Sequence, residues 1–193
     1  MGGLPGPADA ADNPAMPRLP VLRRFLCLAT VPWLVGACAP GLDWREVRPA
    51  GAVLTAWLPC KPERREREVV LAGATVPLEL LACSAEGTTW GIASTPWADA
   101  QRVDVALDAL RAARVQALDG RETARTPLVL RGIAPRAGAA RFTVEGRRPD
   151  GVPVIEHAVV FSHGGRVFHA AALGGAPSPQ SLDTFFDNLV PRP

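Results

Sequence analysis

Tyrosine is missing altogether from these 193 residues, and histidine occurs three times, at His157, His163 and His169. The first gap removes a common polar aromatic for ligand contacts. The second leaves one short stretch from which any imidazole chemistry could be built. Lysine is nearly absent as well: Lys61 stands against twenty arginines, and the net charge is only +2. A polyanion needs a clustered basic surface. Here Arg64, Arg65 and Arg67 are interleaved with Glu63, Glu66 and Glu68, a self-neutralising solvated face, so no nucleic-acid partner is expected. No apolar run approaches the about 20 residues of a spanning helix. A glycine-rich phosphate loop, a GxSxG nucleophile elbow and CxxC metal ligands are missing too.

What the chain does have begins near its N-terminus. Arg18, Arg23 and Arg24 precede an apolar stretch from Phe25 to Ala37 that closes in Leu34-Val35-Gly36-Ala37-Cys38. A basic region, a short apolar core and small residues before a cut are the layout of a secretory signal. Pro32 inside the run argues against a helix interior. The stretch Val35-Gly36-Ala37-Cys38 resembles the lipobox of bacterial lipoproteins. That resemblance implies cleavage before Cys38, acylation of its thiol and new amino group, and anchorage in the bacterial cell envelope. It also implies three acyl chains, enough for a stable hold where one chain alone is marginal. Cys27, preceded by Phe25 and Leu26 inside the run, is a poor acylation site.

By the same resemblance, Ala39 is not the aspartate that often retains such proteins at the inner membrane. An outer-membrane position facing the periplasm is therefore favoured. Residues 1–15 are rich in Gly, Ala and Pro, and translation from Met16 would give a more compact basic region. The chain thus divides into a signal peptide over 1–37, a lipid-anchored linker over 38–51 and a single domain over 52–193, with Pro40 and Pro49 keeping the linker extended.

Within the domain, the residue pattern predicts strands over 52–58, a short apolar run, and over 66–71, 76–85 and 88–94. In the third of these, Val76, Leu78, Leu80 and Ala82 share one face. The spacing then changes. Val103, Leu107, Leu110, Ala113, Ala117 and Leu118 follow a helical period, with Asp99 as N-cap and Gly120 as stop. Segment 120–138 is weakly patterned, with a short strand at 127–130. Strands follow at 141–145, 152–162 and 166–173, the last two as a hairpin across His163-Gly164-Gly165. Ser178 and Pro179 read as N-cap and first position of a final helix, whose Leu182, Phe185, Phe186 and Leu189 form one stripe.

The order predicts an α+β fold, an antiparallel sheet of about six to seven strands with two helices packed on it. Together with Leu58-Pro59-Cys60-Lys61-Pro62, it resembles the PsbP-like fold, to which several small envelope lipoproteins are similar. The resemblance implies a binding or assembly scaffold and brings no catalytic residues.

Cys60 and Cys83 are the cysteines left in the domain, and in an exported protein they invite a disulfide, with two buried thiols as the alternative. First and third strands of an up-down-up path lie roughly 10 Å apart, so the loop after Pro59 must cross toward the third strand for the bond to form. For the histidines, a two-residue turn places 169 opposite 158 or 160, on the other face from His157. Only a three-residue turn makes them neighbours, and a third ligand is then lacking. No metal or other cofactor is expected.

Ser162-His163 is a neighbour pair and not a spatial triad. Glu145 and Glu156 could face each other as an acid pair, though exposed carboxylates on a wet face are the ordinary case. Trp57 and Trp90 fall in strands and are expected in the core, while Trp44 and Trp97 lie near element ends, partly buried or lining a cleft. The sequence leads to a non-enzymatic, lipid-anchored envelope protein that binds or assembles a protein partner. The alternative is a carrier whose sheet and final helix enclose a small apolar ligand, and a hydrolase at Ser162 and His163 comes third. Expressed in a bacterial host, the protein is expected in the membrane fraction with an intact mass that starts at Cys38 and includes acyl chains. Cys38→Ala is expected to lose both, and an unmodified product cut elsewhere would refute the anchor.

Overall fold

The computed structural model describes residues 41–49 and 53–192. The expected signal peptide over 1–37 and the acylation site Cys38 lie outside the described residues. In chain order, β1 (Arg45–Val47) and β2 (Leu54–Leu58) are short, and β3 (Glu63–Leu71), β4 (Ala74–Ala85) and β5 (Thr88–Pro96) form a meander. A 3-10 turn at Ala100–Arg102 leads into α1 (Val103–Ala117). Then come β6 (Arg121–Pro127), β7 (Ala140–Arg147), β8 (Pro153–His163), β9 (Arg166–Gly174), α2 (Pro179–Asp187) and β10 (Val190–Pro191). Seven strands make one antiparallel sheet in the order β3-β4-β5-β9-β8-β7-β6, and β1-β2-β10 form a second. The fold is α+β, mostly antiparallel sheet with two helices. Among the described residues no helix is long and apolar enough to cross a membrane.

The large sheet is covered differently on its two faces. On one lie α2 and the small sheet, packed by aromatics. Trp90 meets Trp44 and Phe185 edge-on, at 5.9 and 5.3 Å between ring centroids, and Phe161 stacks on Phe168 at 4.9 Å. The sequence stripe of α2 does this work: Leu182, Phe185, Phe186 and Leu189 are all buried. The helix starts where Ser178 Oγ accepts from the Ser181 N–H at 3.1 Å, with Pro179 at its first position. On the other face α1 lies against β8 and β9, with Val103, Ala106 and Leu107 buried beneath it. Asp99 caps the preceding 3-10 turn through the N–H groups of Gln101 and Arg102.

Four features depart from the sequence-based expectation, each for a physical reason. The segment read as linker contributes β1, which pairs with β2 and buries Val47. Strand β2 is apolar enough for a central strand but joins the small sheet, and its Trp57 lies on the outer side, 40% exposed, rather than in the core. Because β2 is not the first strand of the meander, Cys60 need not cross the sheet. It sits just before Glu63, which pairs with Ala82, and it is bonded to Cys83 with the Cα atoms 5.9 Å apart. Finally, residues 121–127 form strand β6 at the sheet edge, where exposure on both faces removes the alternation that marks a strand.

Phe185→Ala is expected to cost about 3–5 kcal/mol, as for other large aromatics deleted from a packed core. Chemical denaturation monitored by tryptophan fluorescence would show it as a lower midpoint at an unchanged slope.

Candidate functional site

The face covered by α1 is not closed. Between α1 and the β3–β5 meander runs an apolar groove of about 370 Å³, at the lower end of the range of small-molecule sites. Register explains why a gap exists there. Ala82 pairs with Gly91, Gly91 with Ala171, and Ala171 with Ala158, so four strands set small residues in one row across the sheet. The helix lines the same gap with Ala113 and Ala117, small and exposed. Well-packed layers set large side chains against small ones; small against small leaves a void. The wall opposite α1 is the stripe Leu78-Leu80-Ala82 of β4, half-buried where the other face of the same strand buries Leu81.

Three contacts hold α1 at this height. At its C-terminal end, Gly120 and Gly146 stand back to back: a Cβ on Gly120 would lie 2.5 Å from the Glu145 carbonyl, and one on Gly146 would lie 2.4 Å from the Leu118 carbonyl. That close approach lets the Arg147 N–H donate to the Leu118 carbonyl at 2.6 Å. At the other end, Arg102 Nη2 donates to the carbonyl of Ala72 at 2.9 Å, tying the β3–β4 turn to the helix start. In the middle, Arg114 Nε donates to Glu156 Oε1 and Oε2 at 3.0 and 3.1 Å, and its Nη2 donates to Oε2 at 2.5 Å.

Glu156 is fully buried on β8, facing α1. His169 on β9 brings its Nε2 to 3.3 Å from Glu156 Oε1. The two residues stand two register rows apart, so their side chains meet over the intervening Ala158–Ala171 pair. Burial alone would raise the Glu156 pKa, but His169 and Arg114 outweigh it and hold the carboxyl at about 2, against an ordinary 4.5. Arg114, Glu156 and His169 thus make a polar cluster in the lining of a mainly apolar groove, whose other polar side chains are Arg67 and Thr89.

The other candidate residues are dispersed. A two-residue turn at Gly164-Gly165, with φ of +55° and +70°, closes the β8–β9 hairpin and pairs Val160 with His169. This puts His157 on the α2 face, where its Nδ1 lies 3.2 Å from Thr143 Oγ1 and burial pushes its pKa down. His163 ends β8 at the turn. Ser162 and His163 line a separate cavity of about 280 Å³ beside Trp97, but successive strand residues leave on opposite faces. Among the described residues, no carboxylate contacts His163. Glu145 pairs across from Ile155 and bonds Arg121, whereas Glu156 pairs across from Val144, so the two carboxylates face opposite ways and form no acid pair. Trp97 is buried and Trp44 partly so, packed on the core.

No protein-family model matches the chain, and no curated protein matches it either.

Stability is expected to depend on pH through Glu156. A folded-state pKa below the unfolded value stabilises the fold above the unfolded pKa, and the contribution is lost as pH falls from about 4.5 through about 2. Its size at neutral pH is about 3 kcal/mol. Glu156→Gln is expected to unfold at lower denaturant at pH 7 and to lose most of this acid dependence, which denaturation midpoints at pH 7, 4 and 2.5 would test.

Proposed function

We propose that the protein is a lipid-anchored binding protein of the bacterial envelope whose domain carries a small apolar ligand in the groove under α1. The observation that carries this reading is the groove itself, an opening of about 370 Å³ built from apposed small residues. It favours ligand carriage over docking of a protein partner as the domain's main task. The groove lies between the sheet and α1; α2, the helix expected to roof a pocket, packs on the opposite face. The reading is non-enzymatic because Arg114 and His169 occupy Glu156 and the groove lining presents no activated nucleophile. The anchor part rests on Val35-Gly36-Ala37-Cys38 and the basic and apolar stretches before it. The succession of meander, α1, second antiparallel set and α2 supports the PsbP-like assignment of the fold. The Cys60–Cys83 disulfide fits an exported domain.

Gly91 offers the test. A Cβ placed there meets Ala82 Cβ and the Leu81 carbonyl at 3.4 Å and Leu80 Cδ1 at 3.5 Å, so the backbone accepts a Cβ, and the atoms beyond it enter the groove. Gly91→Ile is expected to keep the fold and to be no less stable, since glycine in a strand interior costs about 0.5–1 kcal/mol. The native protein is expected to enhance the fluorescence of the neutral probe N-phenyl-1-naphthylamine, and Gly91→Ile to abolish that enhancement. Equal enhancement by a folded Gly91→Ile variant would falsify the assignment of the groove.

A further inference from the structure

We infer that the ligand of this groove is a single-chain amphiphile with a small monoanionic head, of the fatty-acid class. The inference rests on the groove being a ligand site, and adds the charge of what enters it. The charged residues of the lining are Arg67, Arg114 and Glu156, with His169 beside them. The lining thus holds two cations and one carboxylate, an excess of one positive charge. Glu156 does not offer its charge to a ligand. It is buried, and its oxygens are occupied by Arg114 and His169.

The excess positive charge is accessible. Arg67 projects from β3 on the groove side, in register with Leu78, is exposed, and has no ion-pair partner among the described residues. Its neighbour on the same face, Arg65, is paired with Glu63 at 2.8 Å and does not compete for that role. Arg114 uses Nε and Nη2 on Glu156, which leaves Nη1 outside the pair. A guanidinium matches a carboxylate through two parallel N–H donors.

Apart from Thr89 and Gly91 the rest of the lining is aliphatic: Val69, Leu71, Leu78, Leu80, Leu110 and Leu173 supply an apolar wall for a hydrocarbon chain. A cationic amphiphile would meet Arg67 and Arg114 as like charges. A neutral one would leave Arg67 without compensation. The groove volume, small among ligand sites, suits one chain and a compact head more than a bulky or two-chain lipid.

The experiment is displacement of N-phenyl-1-naphthylamine from the full mature domain at pH 7.5. The competitors are decanoate, decanol and decyltrimethylammonium below their aggregation concentrations, with calorimetric titration of each as an independent reading. Decanoate is expected to compete at least 10-fold more strongly than decanol, with decyltrimethylammonium the weakest. In Arg67→Gln, an exposed position that leaves the core intact, decanoate is expected to fall to the level of decanol while decanol is unchanged. If the probe binds and decanol matches or exceeds decanoate, or Arg67→Gln weakens both alike, the head assignment is overturned while the groove remains a ligand site. If neither the probe nor any of the three compounds binds by either method, the groove reading falls and this inference with it.

Discussion

The pairing of Arg114 with Glu156 fixes how α1 sits on the sheet, and the groove depends on that placement. A buried ion pair adds little net stability compared with well-packed apolar residues, but it is strongly directional. Two N–H donors must reach two carboxylate oxygens, and one height and rotation of the helix satisfies them. The C-terminal half of α1 needs such a constraint. Its groove-lining residues there include the small Ala113 and Ala117, with Gly91 and Ala171 on the sheet side, and hydrophobic collapse alone would draw helix and sheet together until the gap closed. The glycine contact at one end of α1 and the Arg102–Ala72 bond at the other act in the same sense. The void is held open by polar geometry and backbone contacts.

The opposite face makes that arrangement tolerable. There the sheet carries Trp90, Phe161 and Phe168 under Phe185 and Phe186, a dense aromatic layer. Native stability is a small difference between large terms, and an under-packed face is affordable only where the other is close-packed. The disulfide at the β2–β3 junction adds to the same side, since Cys83 pairs across from Trp90. One sheet thus divides labour: a face that holds the fold and a face that leaves room.

Much of the fold was legible in the chain. The 3.6-residue spacing of Val103, Leu107 and Leu110 and the cap at Asp99 located α1. The stripe Leu182-Phe185-Phe186-Leu189 located α2 and its buried side. What escaped was whatever depends on pairing. Strand β6, Arg121–Pro127, is polar and exposed, so its only strand signal is its partner β7. The stripe Val76-Leu78-Leu80-Ala82 was visible as one face, yet alternation cannot say whether a face meets a full core or the wall of a groove. Glu156 shows the same limit. Its parity separated it from His157, but only the helix packed above β8 makes it buried, and that packing joins segments 42 residues apart. The groove floor is more hidden still, because Ala82, Gly91 and Ala171 are unremarkable until register sets them side by side.

The proposed anchor and the groove support one another through distance. From Cys38 to Arg45, where the first strand begins, an extended chain reaches no more than about 25 Å. A domain tethered that closely samples the layer of water next to the bilayer and little else. Amphiphiles with a hydrocarbon chain concentrate in the bilayer, so under the proposed anchor the local supply of the proposed ligand would be set by the membrane and would exceed that in bulk water. Linking a site to its source raises effective concentration without adding any contact. A shallow groove with one uncompensated arginine at its wall needs no high intrinsic affinity under those conditions. The same groove on a freely diffusing protein would expose half-buried leucines to every apolar surface it met, with no such gain.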